Sequence, residues 1–91
     1  MAKYIYSLVI HEINEADGYE RLEVRASYGT FNKALRATRT LINNMLNSPY
    51  VDYKLVSDEN LQEYRNPIWA ELFLPETGLT IRYHIMSNQL F

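Results

Sequence analysis

Two histidines are the side chains of this sequence best suited to acid–base chemistry near neutral pH. When the strands of the predicted hairpins are paired, His11 lies beside Glu23 and His84 lies beside Trp69. A histidine and a carboxylate can move a proton in catalysis, but such a pair is also an ordinary contact between strands. Neither histidine is accompanied by a nucleophile, a glycine-rich loop or a metal-binding spacing. We therefore expect no catalytic residue, no metal ion and no cofactor; a small enzyme that uses His11 or His84 is kept as an alternative.

Three basic residues, Lys33, Arg36 and Arg39, form a second candidate site on the polar side of a predicted helix. They lie in its first half, where the helix dipole disfavours positive charge by roughly a few tenths of a kcal/mol. A solvated surface explains them, and contact with an anionic partner is the functional alternative. With the eight tyrosines they would suit single-stranded nucleic acid, but the net charge of −2 disfavours that partner.

The overall composition limits the classes of fold and function that remain. A chain of 91 residues with 47% apolar side chains is expected to fold as one globular domain, 1–91. The weak net charge disfavours a membrane-surface binder as well as a nucleic-acid binder. Because the sequence has no cysteine, disulfides and thiolate metal sites are excluded, and a cytoplasmic location is expected.

The string LPETG at residues 74–78 resembles the sorting signal at which sortases cut cell-surface proteins between Thr and Gly. That resemblance implies an export peptide, a long apolar stretch after the motif and a basic tail. Because Arg82 and His84 interrupt the residues that follow and no export peptide is recognisable, we expect no sortase processing. A turn explains the string better, since Pro75 presets φ and Gly78 can take the positive φ with which such loops close.

A hairpin therefore surrounds this turn. With Leu74 opposite Leu79, one face of the hairpin pairs apolar residues and the other pairs mixed ones. The apolar pairs are Leu72 with Ile81, Ala70 with Tyr83 and Ile68 with Ile85, and the mixed pairs are Glu71 with Arg82, Trp69 with His84 and Phe73 with Thr80. A shift of one residue would destroy this match.

A hairpin is also predicted at the start of the chain, with two possible registers. A two-residue loop would set two glutamates opposite each other. A three-residue loop with Gly18 in the left-handed conformation would pair Ile10 with Val24 and Leu8 with Ala26. The second register pairs apolar side chains, and we adopt it.

A helix is predicted where apolar residues recur at spacings of three and four. Thr30 can cap its start, and Asn47 and the residues after it end it. The elements follow the order β-β-α-β-short helix-β-β, with strands at 3–14 and 19–27, the helix at 31–46, a strand at 51–56, helical turns within 58–66, and the hairpin after Pro67. We expect an α+β fold, an antiparallel sheet of about five strands with one long amphipathic helix packed on one face.

The two faces of this sheet are expected to differ. The helix-covered face should hold Leu8, Ile10, Leu22, Val24, Leu72, Ile81 and Tyr83. The opposite face should hold Ile5, Val9, Ile13, Trp69, Phe73 and Met86 among its charges. Exposed apolar patches on small domains mark contact surfaces, although segment 58–66 or the C-terminal residues are an alternative cover.

The sequence therefore favours a small non-enzymatic protein-interaction module. Its interface is expected at Trp69, Phe73, Met86, His84, Val9 and His11. The partner is a second copy of the chain, in a homodimer, or another protein. An accessory or inhibitory protein of a phage or mobile element is the type that we associate with this size and the lack of a site. A single-stranded nucleic-acid binder is the other alternative.

Overall fold

The computed structural model describes residues 3–57 and 68–89, and for Ile68 and Trp69 it describes the backbone alone. The elements are β1 (Tyr4–Asn14), β2 (Tyr19–Tyr28), α1 (Phe31–Leu46), β3 (Lys54–Ser57), β4 (Ile68–Leu74) and β5 (Leu79–Gln89). All paired strands are antiparallel, in the order β2-β1-β5-β4-β3. The predicted α+β class, with a five-stranded antiparallel sheet and one helix, is confirmed. The predicted helical turns within 58–66 lie outside the described residues.

Helix α1 has the predicted bounds and is 16 residues long. Its first turn is capped by Thr30, whose side chain accepts a hydrogen bond from the backbone N–H of Lys33 at 3.2 Å. Ala34, Thr38 and Ile42 recur every four residues and are buried against the sheet. The Thr38 hydroxyl is satisfied within the helix, since it donates to the Ala34 carbonyl at 2.8 Å. No helix in the described part of the chain is long and apolar enough to cross a bilayer.

The core lies between α1 and one face of the sheet. It is formed by Leu8, Ile10, Ile42, Ala70, Leu72, Ile81 and Tyr83. Tyr83 is the largest of these side chains, is 1% exposed, and donates its hydroxyl proton to the sulfur of Met45. Burial raises the pKa of the Tyr83 hydroxyl well above its ordinary value, and the neighbouring Tyr53 and Glu12 raise it further.

The second hairpin has the predicted turn. Leu74 lies opposite Leu79, and Gly78 has φ +78° and donates its N–H to the Leu74 carbonyl at 2.9 Å. The pairs from there to Ala70 and Tyr83 also follow the prediction. LPETG thus forms a tight turn. The glycine that closes it has a positive φ, which other residues rarely adopt.

Beyond Ala70 the predicted pairing is wrong. The register shifts between Ile68 and Ala70, so that Ile68 lies opposite His84. The predicted pairs of Trp69 with His84 and of Ile68 with Ile85 are replaced by a β-bulge. One extra residue in β4 at this point takes up the difference.

The first hairpin differs from both predicted registers. Its loop contains four residues, 15–18, between the paired Asn14 and Tyr19. Near the loop Val9 pairs with Val24, and a register shift between Leu8 and Val9 then restores the predicted pair of Leu8 with Ala26. The four-residue loop is stabilised because the Asn14 side chain accepts the Ala16 N–H at 3.1 Å.

This register corrects the predicted helix-covered face. Leu22 pairs with His11 and Val24 pairs with Val9, so both apolar side chains of β2 lie on the side of the sheet away from α1. They are 67% and 64% exposed, respectively. The prediction that Leu22 and Val24 belong to the core is wrong. The loop has four residues instead of the predicted three, and the additional residue turns each side chain of β2 between the loop and the bulge to the other face.

Candidate functional site

The sheet side opposite α1 is the principal candidate surface, and we call it the open face. Leu8 and Ile10 of β1 belong to the core under α1, so the residues that alternate with them point to the other side. The described residues of the open face include Val9, His11, Ile13, Leu22, Val24, Phe73, Arg82, His84 and Met86. Within residues 3–57 and 68–89, the only helix packs on the opposite side.

Apolar exposure on the open face increases from its centre towards the edge strand β2. Val9, in β1, is 4% exposed although it does not face the helix, because its neighbours in the sheet surround it. Leu22 and Val24, one strand further out, are among the most exposed large apolar side chains of the described residues. The result is an apolar surface that continues from a buried valine to two uncovered side chains.

Most of the predicted interface residues lie on this face. Val9 and His84 are directly paired across β1 and β5, and His11 and Met86 lie two residues further along these strands in opposite directions. Phe73 lies on the same face, opposite Thr80. The side chain of Trp69, the remaining residue of the predicted interface, lies outside the described part of the structure.

The two histidines come together on the open face. Their ring centroids are 6.3 Å apart, with ring planes tilted by 40°. The nearest carboxylate to His11 is that of Glu20, at 3.6 Å from Nε2, and the predicted neighbour Glu23 lies on the other face. At that distance the contact is too long for a good hydrogen bond.

The two histidines lie beside an exposed carboxylate and a hollow of mixed polar and apolar lining. The Glu20 side chain is 68% exposed and is free to point into solvent. Among the described residues, no group of three or more His, Cys, Asp or Glu side chains could hold a metal ion. The hollow of about 640 Å³ beside the histidines is lined by apolar side chains such as Ile13 and Leu22 as much as by polar ones.

An ion pair compensates charge at the centre of the open face. Arg82 of β5 donates from Nε to Oε1 of Glu71 in the adjacent strand at 2.7 Å, as the predicted pairing of these residues requires. The two side chains are only 23% and 18% exposed. Because the charges neutralise each other, a partner that covers this face does not have to bury an uncompensated charge.

The predicted basic residues lie on the other side of the molecule. A groove of about 540 Å³ between α1 and β2 is lined by Lys33 and Arg36 together with Arg25 of β2. Its remaining lining residues are Leu8, Tyr28, Ala37, Thr40, Leu41 and Asn44. We call this the basic groove; Arg39, the third predicted basic residue, does not line it.

Sequence reasoning missed Leu22, Val24 and Arg25, and the signal that would have identified the first two is the likeness of the two hairpin loops. Residues 15–18 and 75–78 both close on a glycine with positive φ, at Gly18 and Gly78. The same four-residue loop in both hairpins implies the observed register. Arg25 had no comparable signal, because its place in the groove depends on how α1 crosses β2.

Comparison with known proteins adds no family to these observations. The chain matches no protein-family model, no curated protein and no solved structure.

Proposed function

We propose that this protein is a non-enzymatic interaction module that forms a homodimer through its open face. The observation that carries the proposal is the exposure of Leu22 and Val24, at 67% and 64%, beside the buried Val9. Large apolar side chains that lie together on a small domain are stabilised when a partner removes them from water, at about 25 cal/mol per Å². The ion pair of Arg82 with Glu71 lets the centre of the face be buried too.

The arrangement of charges favours a second copy as the partner. One row across the open face runs from Glu20 on β2 through Ile13, Thr80 and Phe73 to Lys54 on β3. The row thus has an acid at one edge of the sheet and a base at the other.

A two-fold axis parallel to β5, between two stacked copies, makes these rows complementary. The axis places β2 over β3 and β1 over β4 of the partner at the same height along the strands. Glu20 then lies over Lys54 of the second copy, and Ile13 lies over Phe73. Strands of stacked sheets cross at about 30°, so the pairs closest to the axis align best. Two-fold dimers are also the commonest oligomers.

Sedimentation tests the proposal. The wild type should sediment as a dimer at micromolar concentration, which corresponds to about −8 kcal/mol of association free energy. Leu22→Lys should give a folded monomer, because the side chain is exposed in the protomer and the two-fold axis places it over Ser57 of the second copy, where its charge would be buried. The matched control is Tyr50→Lys, since Tyr50 is 91% exposed and lies outside the sheet. This control should remain a dimer.

A charge exchange tests the two-fold geometry separately. Glu20→Lys and Lys54→Glu should each weaken the dimer, and the double variant should recover part of the lost affinity. A wild-type monomer at every accessible concentration would overturn the homodimer. If Leu22→Lys then also lowered the melting temperature, the chain would be covering this face itself.

A further inference from the structure

We propose that the basic groove binds an acidic segment of a partner protein, which adds as an extended strand to the edge of β2. The groove lies between α1 and β2, on the helix side of the sheet, and shares no lining residue with the open face. This inference therefore goes beyond the proposed homodimer and can fail independently of it.

The charge of the basic groove indicates an anionic ligand. Arg25, Lys33 and Arg36 line it, and no acidic residue does. Ion pairs among the described residues involve other basic side chains, Arg21, Lys54 and Arg82 in addition to His11, and none of these three. Three cations along one groove, in a protein of net charge −2, form a local concentration of positive charge.

A β-bulge brings two of the groove residues to the same side. Arg25 and Tyr28 are three positions apart, so in a regular strand they would point to opposite faces of the sheet. The register shift between Leu8 and Val9 inserts one residue into β2 at this point, and both side chains line the groove. The irregularity in β2 thus brings Arg25 and Tyr28 into the lining of the same groove.

The shape of the groove fits an extended peptide. Along α1 its lining runs from Lys33 to Asn44, a rise of roughly 16 Å at 1.5 Å per residue. Roughly five residues of extended chain cover that length at 3.3 Å each. The floor includes Leu8, Ala37 and Leu41, so a peptide that carries both carboxylates and aliphatic carbon is complementary to it.

The edge of the sheet provides the backbone contacts. Among the described strands β2, of ten residues, is the terminal one, and it pairs with β1 on only one of its sides. The backbone groups of its outer side can hydrogen-bond an added strand, which is a common mode of peptide recognition. Alternate side chains of that strand would face α1 and meet the cations, so the preferred ligand has acidic residues at every second position.

Nucleic acid is less well matched to this groove. A phosphate backbone binds through a long run of cations, and here the run ends within one groove. The β2 residues outside it include Glu20 and an Arg21 that already pairs with Glu23 at 3.6 Å. An acidic peptide needs only the three available cations.

Fluorescence polarisation with a labelled seven-residue peptide, Thr and Glu alternating, tests the proposal at about 0.15 M salt, where the Debye length is about 8 Å. We expect micromolar binding that is lost when Gln replaces Glu in the peptide. Arg25→Gln and Arg36→Gln should each weaken binding about fivefold or more. Arg21→Gln is the matched control, because it removes the same charge from the same strand outside the groove, and it should change affinity by less than about twofold.

Three results would overturn the proposal. An equal loss of affinity in Arg21→Gln and Arg25→Gln would mean that peptide binding depends only on the net charge of the protein. Tighter binding of an oligothymidylate of equal charge would make the groove a phosphate site. Undiminished binding of a peptide with alternate N-methylated amides would exclude an added strand. The peptide test does not depend on the homodimer, because the basic groove shares no lining residue with the open face.

Discussion

Asn14 connects the two hairpin loops, and we expect its replacement by alanine to destabilise the whole sheet. Its side chain hydrogen-bonds to both loops: Oδ1 accepts the Ala16 N–H at 3.1 Å, and Nδ2 donates to the Thr77 carbonyl at 2.8 Å. The loops are neighbours because β1 ends beside the start of β5, where Ile13 pairs with Thr80. Asn14 is 7% exposed, so water cannot readily replace both contacts.

The magnitude follows from these two hydrogen bonds. Each contributes a net ~0.5–1.5 kcal/mol, so Asn14→Ala should lower the free energy of unfolding by about 1–3 kcal/mol. For a domain of this size 1 kcal/mol shifts the melting temperature by roughly 4–8 °C, so a fall of about 8–16 °C is expected for 2 kcal/mol. Asn14→Ser should lose about half as much, because a serine hydroxyl can still accept the Ala16 N–H but is too short to reach Thr77.

Thermal unfolding followed by circular dichroism measures the melting temperatures of the wild type and of the two Asn14 variants. All are compared at one protein concentration, since dimerisation would itself shift the transition. Asn32→Ala is the control, because Asn32 is exposed on α1 and should change stability by less than about 0.5 kcal/mol. An Asn14→Ala variant that melts within about 2 °C of the wild type, or no lower than Asn32→Ala, would refute the role of Asn14 as the link between the loops.

Three further predictions concern the turn, the core and the alkaline limit of stability. Gly78→Val should cost ~1–3 kcal/mol in urea unfolding because φ is +78°, whereas Gly29→Ala, at a glycine without positive φ, should cost less; equal losses would contradict the turn strain. Leu72→Glu should abolish the cooperative transition because Leu72 is 0% exposed, and Leu22→Glu should remain folded; a folded Leu72→Glu protein would contradict the assignment of the core. Burial raises the pKa of Tyr83 in the folded state, so its contribution to stability is complete below the unfolded value near pH 10 and is lost as the pH rises above it. Urea unfolding between pH 7 and 11 should therefore show the wild type losing more stability than Tyr83→Phe, and parallel curves would exclude Tyr83 as the cause.

The sequence alone was sufficient wherever one pattern excluded its alternatives. In the second hairpin a shift of one residue would have placed Leu72 and Ile81 on the wrong face, so the register from Leu74 to Ala70 could be read directly. Helix α1 was equally well specified, because its apolar spacing and its Thr30 cap agree on the same bounds.

The first hairpin was not specified in this way. In β2 Leu22 and Val24 alternate with charged residues, and that pattern fits either face of an edge strand. The structure places the charged residues on the helix side, where an edge position leaves them access to water. The hydrophobic pattern therefore predicted the wrong face, and the choice depended on one additional residue in the loop.

The candidate sites were likewise determined in part by the sequence and in part by the tertiary structure. The sequence determined that this protein has an apolar set of strand residues in excess of what one helix can cover, and that Lys33 and Arg36 share a polar helix arc. Only the tertiary structure decided that Leu22 and Val24 extend the uncovered surface and that Arg25 joins the two helical cations. The physical reason is that alternation and helical period are local, whereas the meeting of β2 with α1 depends on a loop length, a bulge and the packing of the helix across the sheet.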